Sequence, residues 1–320
     1  LLKTPARKSN VHLDLDSPNF QKYADIAASA QKLVEDLLIE IFQHAHNLTG
    51  ERKFIFTGGV AMNSVALERL SKCVFIDEII VPPSPGDSGA AIGAAYFGYL
   101  KKSKTRQKHE KFRLSENLFP GKVDQNEDFF SLMLTKISEP KDAIERVAEL
   151  ISQNEVIATA YGDIETGPRA LGHRSMICNA HSKETIQFLN TVIKSRSKFR
   201  PTAPVILESY AEKYFNISEK IKSCYTHMGA VTTPLDEVVE SIKGVVHVDG
   251  TCRIQICDES QLLGKILKEL SQKDIFVIAN TSFNISSDPM VYSKEDALLS
   301  IERMHIKYLL TEHGLYERNS

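Results

Sequence analysis

Tryptophan is absent from the 320 residues, and cysteine is scarce: Cys73, Cys178, Cys224, Cys252 and Cys257. Five is an odd number and the spacing is scattered. Cys252 and Cys257 bound the run CRIQIC, where a five-residue offset puts them on opposite faces of a strand. Neither a disulfide framework nor a zinc site is expected, and such thiols fit a reducing cytoplasm. No apolar run approaches the roughly 20 residues of a membrane span, and no signal peptide opens the chain, so no membrane partner is expected. Neither charge sign dominates: 39 Lys and Arg face 41 Asp and Glu, for a formal net charge of -2. A chain so balanced has no global field to draw nucleic acid. Any anion site must be built locally, from a few converging cations. A catalytic triad, a nucleophile elbow and a Walker A loop are missing too.

What is present is ordinary for a globular protein, with 42% hydrophobic and 25% charged residues. The length suggests two domains. Apolar residues from Ile26 to Ala45 recur every three or four positions and predict a helix over about 22–48. Phe54 to Phe56 reads as a strand buried on both faces, Phe75 to Val81 as another, and AAIGAAYFGYL as a helix with small residues on one side. The charge-dense run after residue 101 marks a boundary. This gives a first unit over 1–102, a solvated linker over 103–118 and a second unit over 119–320. In the second unit, helices are expected over about 140–153 and 183–194, and strands at Val156–Ala160, VVHVDG, IFVIAN and, last, IKYLLT. Residues 210–243 are poor in apolar residues and read as a mobile stretch. Ser293 reads as the N-cap of KEDALLSIERM. Strands and helices alternate, so the class is α/β or α+β.

Three motif groups could carry chemistry. In FTGGVAMN, Gly58 and Gly59 could admit a phosphate to a helix start, with Asn63 one turn in, or could simply form a tight turn. In PSPGDSGAA, Asp87 is either an N-cap or an unobstructed ligand. The third group is cationic. ETGPRALGHRS contributes Arg169 and Arg174, IKSRSKFRP contributes Lys194, Arg196, Lys198 and Arg200, and VDGTCR contributes Arg253. NTSFN adds the neutral donors Asn280, Ser282 and Asn284. Arginine holds phosphate through paired, charge-assisted bonds. Lys194 to Arg200 could equally be a solvated helix end. Arg169 lies in an apolar, glycine-bracketed loop, where a buried guanidinium needs an anion. His227 and His247 read as structural or polar fill.

Together these stretches, with LNTVIKSRSKFRPTAPVI and DPMVYSKEDAL, resemble the carbamoyltransferases of the NodU/CmcH family, in family order from about residue 12 onward. The resemblance implies the C-terminal half of an actin-like domain followed by a YrdC-like domain. It implies an ATP-dependent O-carbamoyltransferase that converts carbamoyl phosphate to carbamoyl adenylate and passes the carbamoyl group to a hydroxyl of a small molecule or glycan. Carbamoyl phosphate would meet Arg169, Lys194, Arg200, Met228, Arg253, Asn280 and Ser282. Of these, Arg169, Lys194, Arg200 and Arg253 would serve catalysis. ATP, with Mg, would meet Gly58, Gly59, Asn63 and Arg174. Asp87 would bind Fe(II), whose histidine ligands in the family precede the point where this chain begins, so the chain is expected to be N-terminally truncated and its iron site incomplete. His173 stands where the family usually has Asn, which puts nucleotide contacts near it in question. An actin-like small-molecule kinase or ATPase, or a non-catalytic nucleotide-binding module, remains open beside this reading. So does a homo-oligomer.

Overall fold

The computed structural model describes residues 19–102, 130, 133–194, 202–285 and 288–319. The predicted linker over 103–118 lies outside them. The first unit is built from α1 (Phe20–Thr49), β1 (Lys53–Ile55), α2 (Ser64–Ser71), β2 (Glu78–Ile80) and α3 (Asp87–Lys102). Strands β1 and β2 form a parallel pair, Phe54 facing Ile79. Helix α1 ends at Gly50, in the left-handed conformation that favours glycine (φ 74°).

The second unit carries an eight-stranded mixed sheet. Its strands are β3 (Leu134–Ser138), β4 (Ile157–Thr159), β5 (Ser175–Asn179), β6 (Ala203–Leu207), β7 (Gln255–Cys257), β8 (Val277–Ser282), β9 (Tyr308–Thr311) and β10 (Gly314–Arg318). The order across the sheet is β3-β10-β9-β4-β5-β8-β6-β7. Pairs β4/β9 and β6/β7 are parallel, and the remaining neighbours are antiparallel. Its helices are α4 (Ala143–Ser152), α5 (Lys183–Phe188), α6 (Glu208–Tyr214), α7 (Leu262–Ser271) and α8 (Lys294–Met304). The α/β class is as expected.

Strand alternation divides the core in two. Ile157, Ile177, Val205, Ile278 and Leu310 point to one face, under α4 and α7, where Val147, Ile151, Ile266 and Leu270 cover them. Ala158, Met176, Cys178, Ile206, Ala279 and Leu309 point to the other, into a cluster that also takes in Leu67, Leu70, Ile76 and Ile79 of the first unit. The two units thus share one core. Lys220 Nζ donates to the Cys73 carbonyl at 2.8 Å, and Cys224 Sγ lies 3.7 Å from the Ile79 carbonyl oxygen. All five cysteines are free. Burial alone pushes the Cys178 thiol up to about 12, so it is inert at neutral pH.

Several expectations are corrected. Strand β1 is not buried on both faces: a two-stranded sheet leaves one side open, and Ile55 is 76% exposed. Within Phe75 to Val81 only Glu78–Ile80 is strand, because Phe75 and Ile76 are buried by packing and not by ladder pairing. VVHVDG is not a strand. It is a 3-10 turn (Lys243–Val245) followed by a tight loop, closed by His247 N–H donating to the Thr251 carbonyl at 2.7 Å. IKYLLT is not last, since β10 follows it. The segment 210–243 is packed rather than loose: Ala211, Phe215, Ile221, Cys224, Tyr225 and Ile242 are buried in the shared core. Fifteen of its 34 residues are apolar, about the share in the whole chain, and most of these are buried. The capping box at Ser293 forms as expected, its hydroxyl accepting from Asp296 N–H and Asp296 returning the bond.

Candidate functional site

Strand direction gathers the second-unit motifs at one edge of the sheet. Strand β4 runs out at Thr159, and the loop 160–174 returns as β5 at Ser175. Ser175 faces Ser282 at the end of β8, Asn280 faces Ala203 at the start of β6, and β7 starts beside it at Gln255. The GPRALGHRS loop, the NTSFN loop, the approach to β6 and the VDGTCR loop therefore converge. Arg169, Arg174, Lys194, Arg253, Asn280 and Ser282 belong to these loops. Arg200 lies outside the described residues, as do Arg196 and Lys198.

A residue that sequence reasoning missed organises the first loop. Glu165 is buried, and its Oε1 accepts from the backbone N–H groups of Leu171 (3.0 Å), His173 (2.7 Å) and Arg174 (2.9 Å). One carboxylate oxygen thus folds residues 165–174 around itself and sets the path of Arg169. Thr159 Oγ1 closes the base, donating to the Gly172 carbonyl and accepting from Ser175 N–H. A second missed residue is Gln255. Its Nε2 donates to the Leu171 carbonyl, while Asn280 Nδ2 donates to the Ala170 carbonyl and to Gln255 Oε1. Asn280 Oδ1 stays buried without a hydrogen-bond partner among the described residues. A lone Glu in a loop and a Gln in an alternating strand carry no sequence signal.

The other predicted groups are placed as follows. Arg174 is 2% exposed and donates to the carbonyls of Tyr161, Gly162 and His173. Burial lowers its pKa against the pull of Glu165. Its guanidinium is thus largely engaged by backbone. His173 Nδ1 donates to the Asp163 carbonyl at 2.7 Å, a bond that an Asn amide could also supply, and burial keeps the ring neutral by lowering its pKa. Lys194 is fully buried, and its ammonium reaches the Ser282 carbonyl (2.7 Å), Ser282 Oγ (3.3 Å), the Asn284 carbonyl (2.5 Å) and Asn284 Oδ1 (2.7 Å).

In the first unit, Gly58 (φ 94°) opens a 3-10 turn over Gly59–Met62 and donates to the Pro85 carbonyl at 2.7 Å. Asn63 caps α2, accepting from Ala66 N–H, and pairs through both side-chain atoms with Gln31 of α1. Asp87 is exposed at the first turn of α3. Among the described residues no group of three His, Cys, Asp or Glu side chains is arranged to hold a metal. Asp87 alone does not fit an iron centre.

Between the units lies a small cleft, partly open to solvent, lined by Met62, Pro83, Pro85, Arg169, His227 and Met228 among others. It brings the GGVAMN turn against Arg169 and Met228. Met228 is buried with φ 57°, a left-handed conformation rare for a residue with a Cβ. The contact is close at Gly167 (φ 91°), where a Cβ would fall 2.2 Å from the Pro83 carbonyl oxygen. Gly167→Ala is expected to cost about 2 kcal/mol through strain and overlap, read as a lower midpoint in denaturant.

The family profile described as Carbamoyltransferase C-terminus matches residues 148–318, and that described as Carbamoyltransferase N-terminus matches residues 6–96. The chain belongs to the carbamoyltransferase family. It is 29% identical over 287 residues to nodulation protein NolNO of Sinorhizobium fredii, which covers 88% of this chain and 42% of that protein. It is 31% identical over 268 residues to nodulation protein U of Rhizobium tropici, covering 82% of this chain and 44% of that protein. This carbamoyltransferase chain thus spans about half the length of the curated relatives it matches. A crystal structure of full-length HypF in the phosphate- and nucleotide-bound form overlaps 58% of the chain and 23% of that protein, at 19% identity and TM-score 0.42. No helix among the described residues is long and apolar enough to cross a membrane.

Proposed function

We propose that this chain carries the carbamoyl-phosphate site of an ATP-dependent O-carbamoyltransferase, within a second unit over 119–320 that follows a first over 1–102. The observation that supports it most is the convergence of Arg169, Lys194 and Arg253 with Asn280 and Ser282 at one sheet edge, in a protein with no net excess of cations. Carbamoyl phosphate is an activated dianion whose carbonyl is shielded by charge. Cations that neutralise the phosphate prepare it for transfer. Water takes the phosphoryl group, leaving carbamate. Carbamate attacks the α-phosphorus of ATP and expels pyrophosphate. The acceptor hydroxyl then attacks the carbamoyl carbon, expels AMP and loses its proton. Within this route Arg169 and Arg253 hold phosphate oxygens, Lys194 fixes the Ser282–Asn284 loop, and Asn280 fixes the Ala170 carbonyl. Gly58, Gly59 and Asn63 of the first unit face ATP.

Calorimetric titration with carbamoyl phosphate, with inorganic phosphate as control, tests the reading. Binding is expected, weakened roughly 10- to 100-fold in Arg253→Ala by loss of a charged hydrogen bond. A folded protein that ignores carbamoyl phosphate overturns it.

A further inference from the structure

His227 lines the same small cleft as Arg169, yet the carbamoyl-phosphate reading gives it no role. The residue closes the 3-10 segment Glu219–His227, directly before the strained Met228. It is 6% exposed and lines the cleft beside Arg169. Its Nδ1 lies 3.3 Å from Thr226 Oγ1, and the Val81 backbone carbonyl of the first unit accepts a hydrogen bond from the ring. Its Nε2 is buried and finds no hydrogen-bond partner among the described residues. The backbone leaves room for that nitrogen only because residue 229 is glycine: a Cβ there would come within 2.9 Å of Nε2.

A buried polar atom left unpaired costs free energy, so an orphan in a cleft marks a place for a ligand atom. The ring is neutral, since desolvation drives its pKa down to about 4. A neutral imidazole whose Nδ1 carries the proton presents Nε2 as a bare acceptor. Arg169 lines the same cleft and supplies the cation. An acceptor beside a cation fits a ligand that pairs an N–H donor with a phosphate.

We infer that His227 is a specificity residue of the inter-unit cleft, its Nε2 accepting an N–H of the carbamoyl amide while Arg169 holds the phosphate. This rests on the carbamoyl-phosphate reading and adds to it a means of rejecting other acyl phosphates. Acetyl phosphate has the same charge and nearly the same shape, but puts a methyl group where the amide would be. Facing it, Nε2 stays unpaired, and a site built to bond a polar group discriminates against an analogue lacking it.

The test is calorimetric titration of the wild type, His227→Leu and His227→Gln with carbamoyl phosphate, acetyl phosphate and inorganic phosphate. The wild type is expected to prefer carbamoyl over acetyl phosphate by roughly tenfold, the worth of one hydrogen bond. His227→Leu is expected to reduce the preference to about one while binding of acetyl and inorganic phosphate stays within about twofold, which also shows that the variant is folded. His227→Gln, whose side-chain oxygen reaches a similar point, is expected to keep part of the preference. A leucine variant that keeps the full preference overturns the inference, as does a wild type that binds both acyl phosphates equally. A wild type that binds none of the three overturns the carbamoyl-phosphate reading itself.

Discussion

Glu165→Ala is expected to destabilise the folded chain by about 4 kcal/mol, since two buried N–H groups and one half-buried N–H group lose a shared acceptor. The three bonds come from Leu171, His173 and Arg174, all to one oxygen. With the carboxylate gone, residues 165–174 lose the point about which they turn, and Arg169 loses its fixed place beside Met228. A denaturant titration reads the first effect. Titration with inorganic phosphate reads the second, and binding is expected to fall at least tenfold even in conditions where the variant remains folded. Glu165→Gln discriminates between shape and charge. Its amide oxygen can still accept the N–H groups, but more weakly, so a cost of about 1–2 kcal/mol with phosphate binding largely kept is the expected result. If alanine at 165 leaves both the midpoint and phosphate binding unchanged, the carboxylate is not what shapes the loop.

The helices and the site read differently from sequence, and the reason is physical. Helices α1 and α8 follow from side-chain periodicity and from a capping box written in four consecutive residues, both local properties. Strand ends did not follow, because a short apolar run looks the same whether it pairs, as Ile79 does, or is buried by packing alone, as Ile76 is. The 245–250 run fails for a related reason: Val248 is 87% exposed in a turn, where its β-branched character gives no sign of its setting. The cations and amides of the proposed site drew notice in the sequence because they sit together in short, motif-like loops. Arg174 shows the limit of that signal, since its guanidinium faces carbonyls of its own loop. Glu165, Gln255 and His227 were not legible. Each acts by holding or facing backbone and cleft atoms that only the folded sheet edge brings near.

Lys194→Met is expected to produce the largest loss of binding, with a stability cost of about 3 kcal/mol from carbonyl and amide oxygens left without a donor in a buried site. Methionine matches the lysine stem in length, so the change removes the ammonium and little else. That ammonium has three protons for four oxygens, the carbonyls and side chains of Ser282 and Asn284. It therefore fixes the chain at Ser282–Asn284, from which Asn284 Nδ2 donates to the Asp288 carbonyl. Without it the turn can open, and Ser282 and the positive charge leave the site together. Carbamoyl phosphate affinity is expected to fall about 100-fold, the sum of a lost charge and a loosened wall. Ser282→Ala removes the longest of the four contacts and the Ser282 Oγ bond to Asn284 Oδ1, and is expected to weaken binding less than tenfold. Lys194→Arg keeps the charge but brings a planar fork to a compact cage, so it is expected to restore the net charge without restoring affinity. Were arginine to rescue binding fully, the role of Lys194 would be its charge alone, and the four-oxygen cage would be incidental to the site.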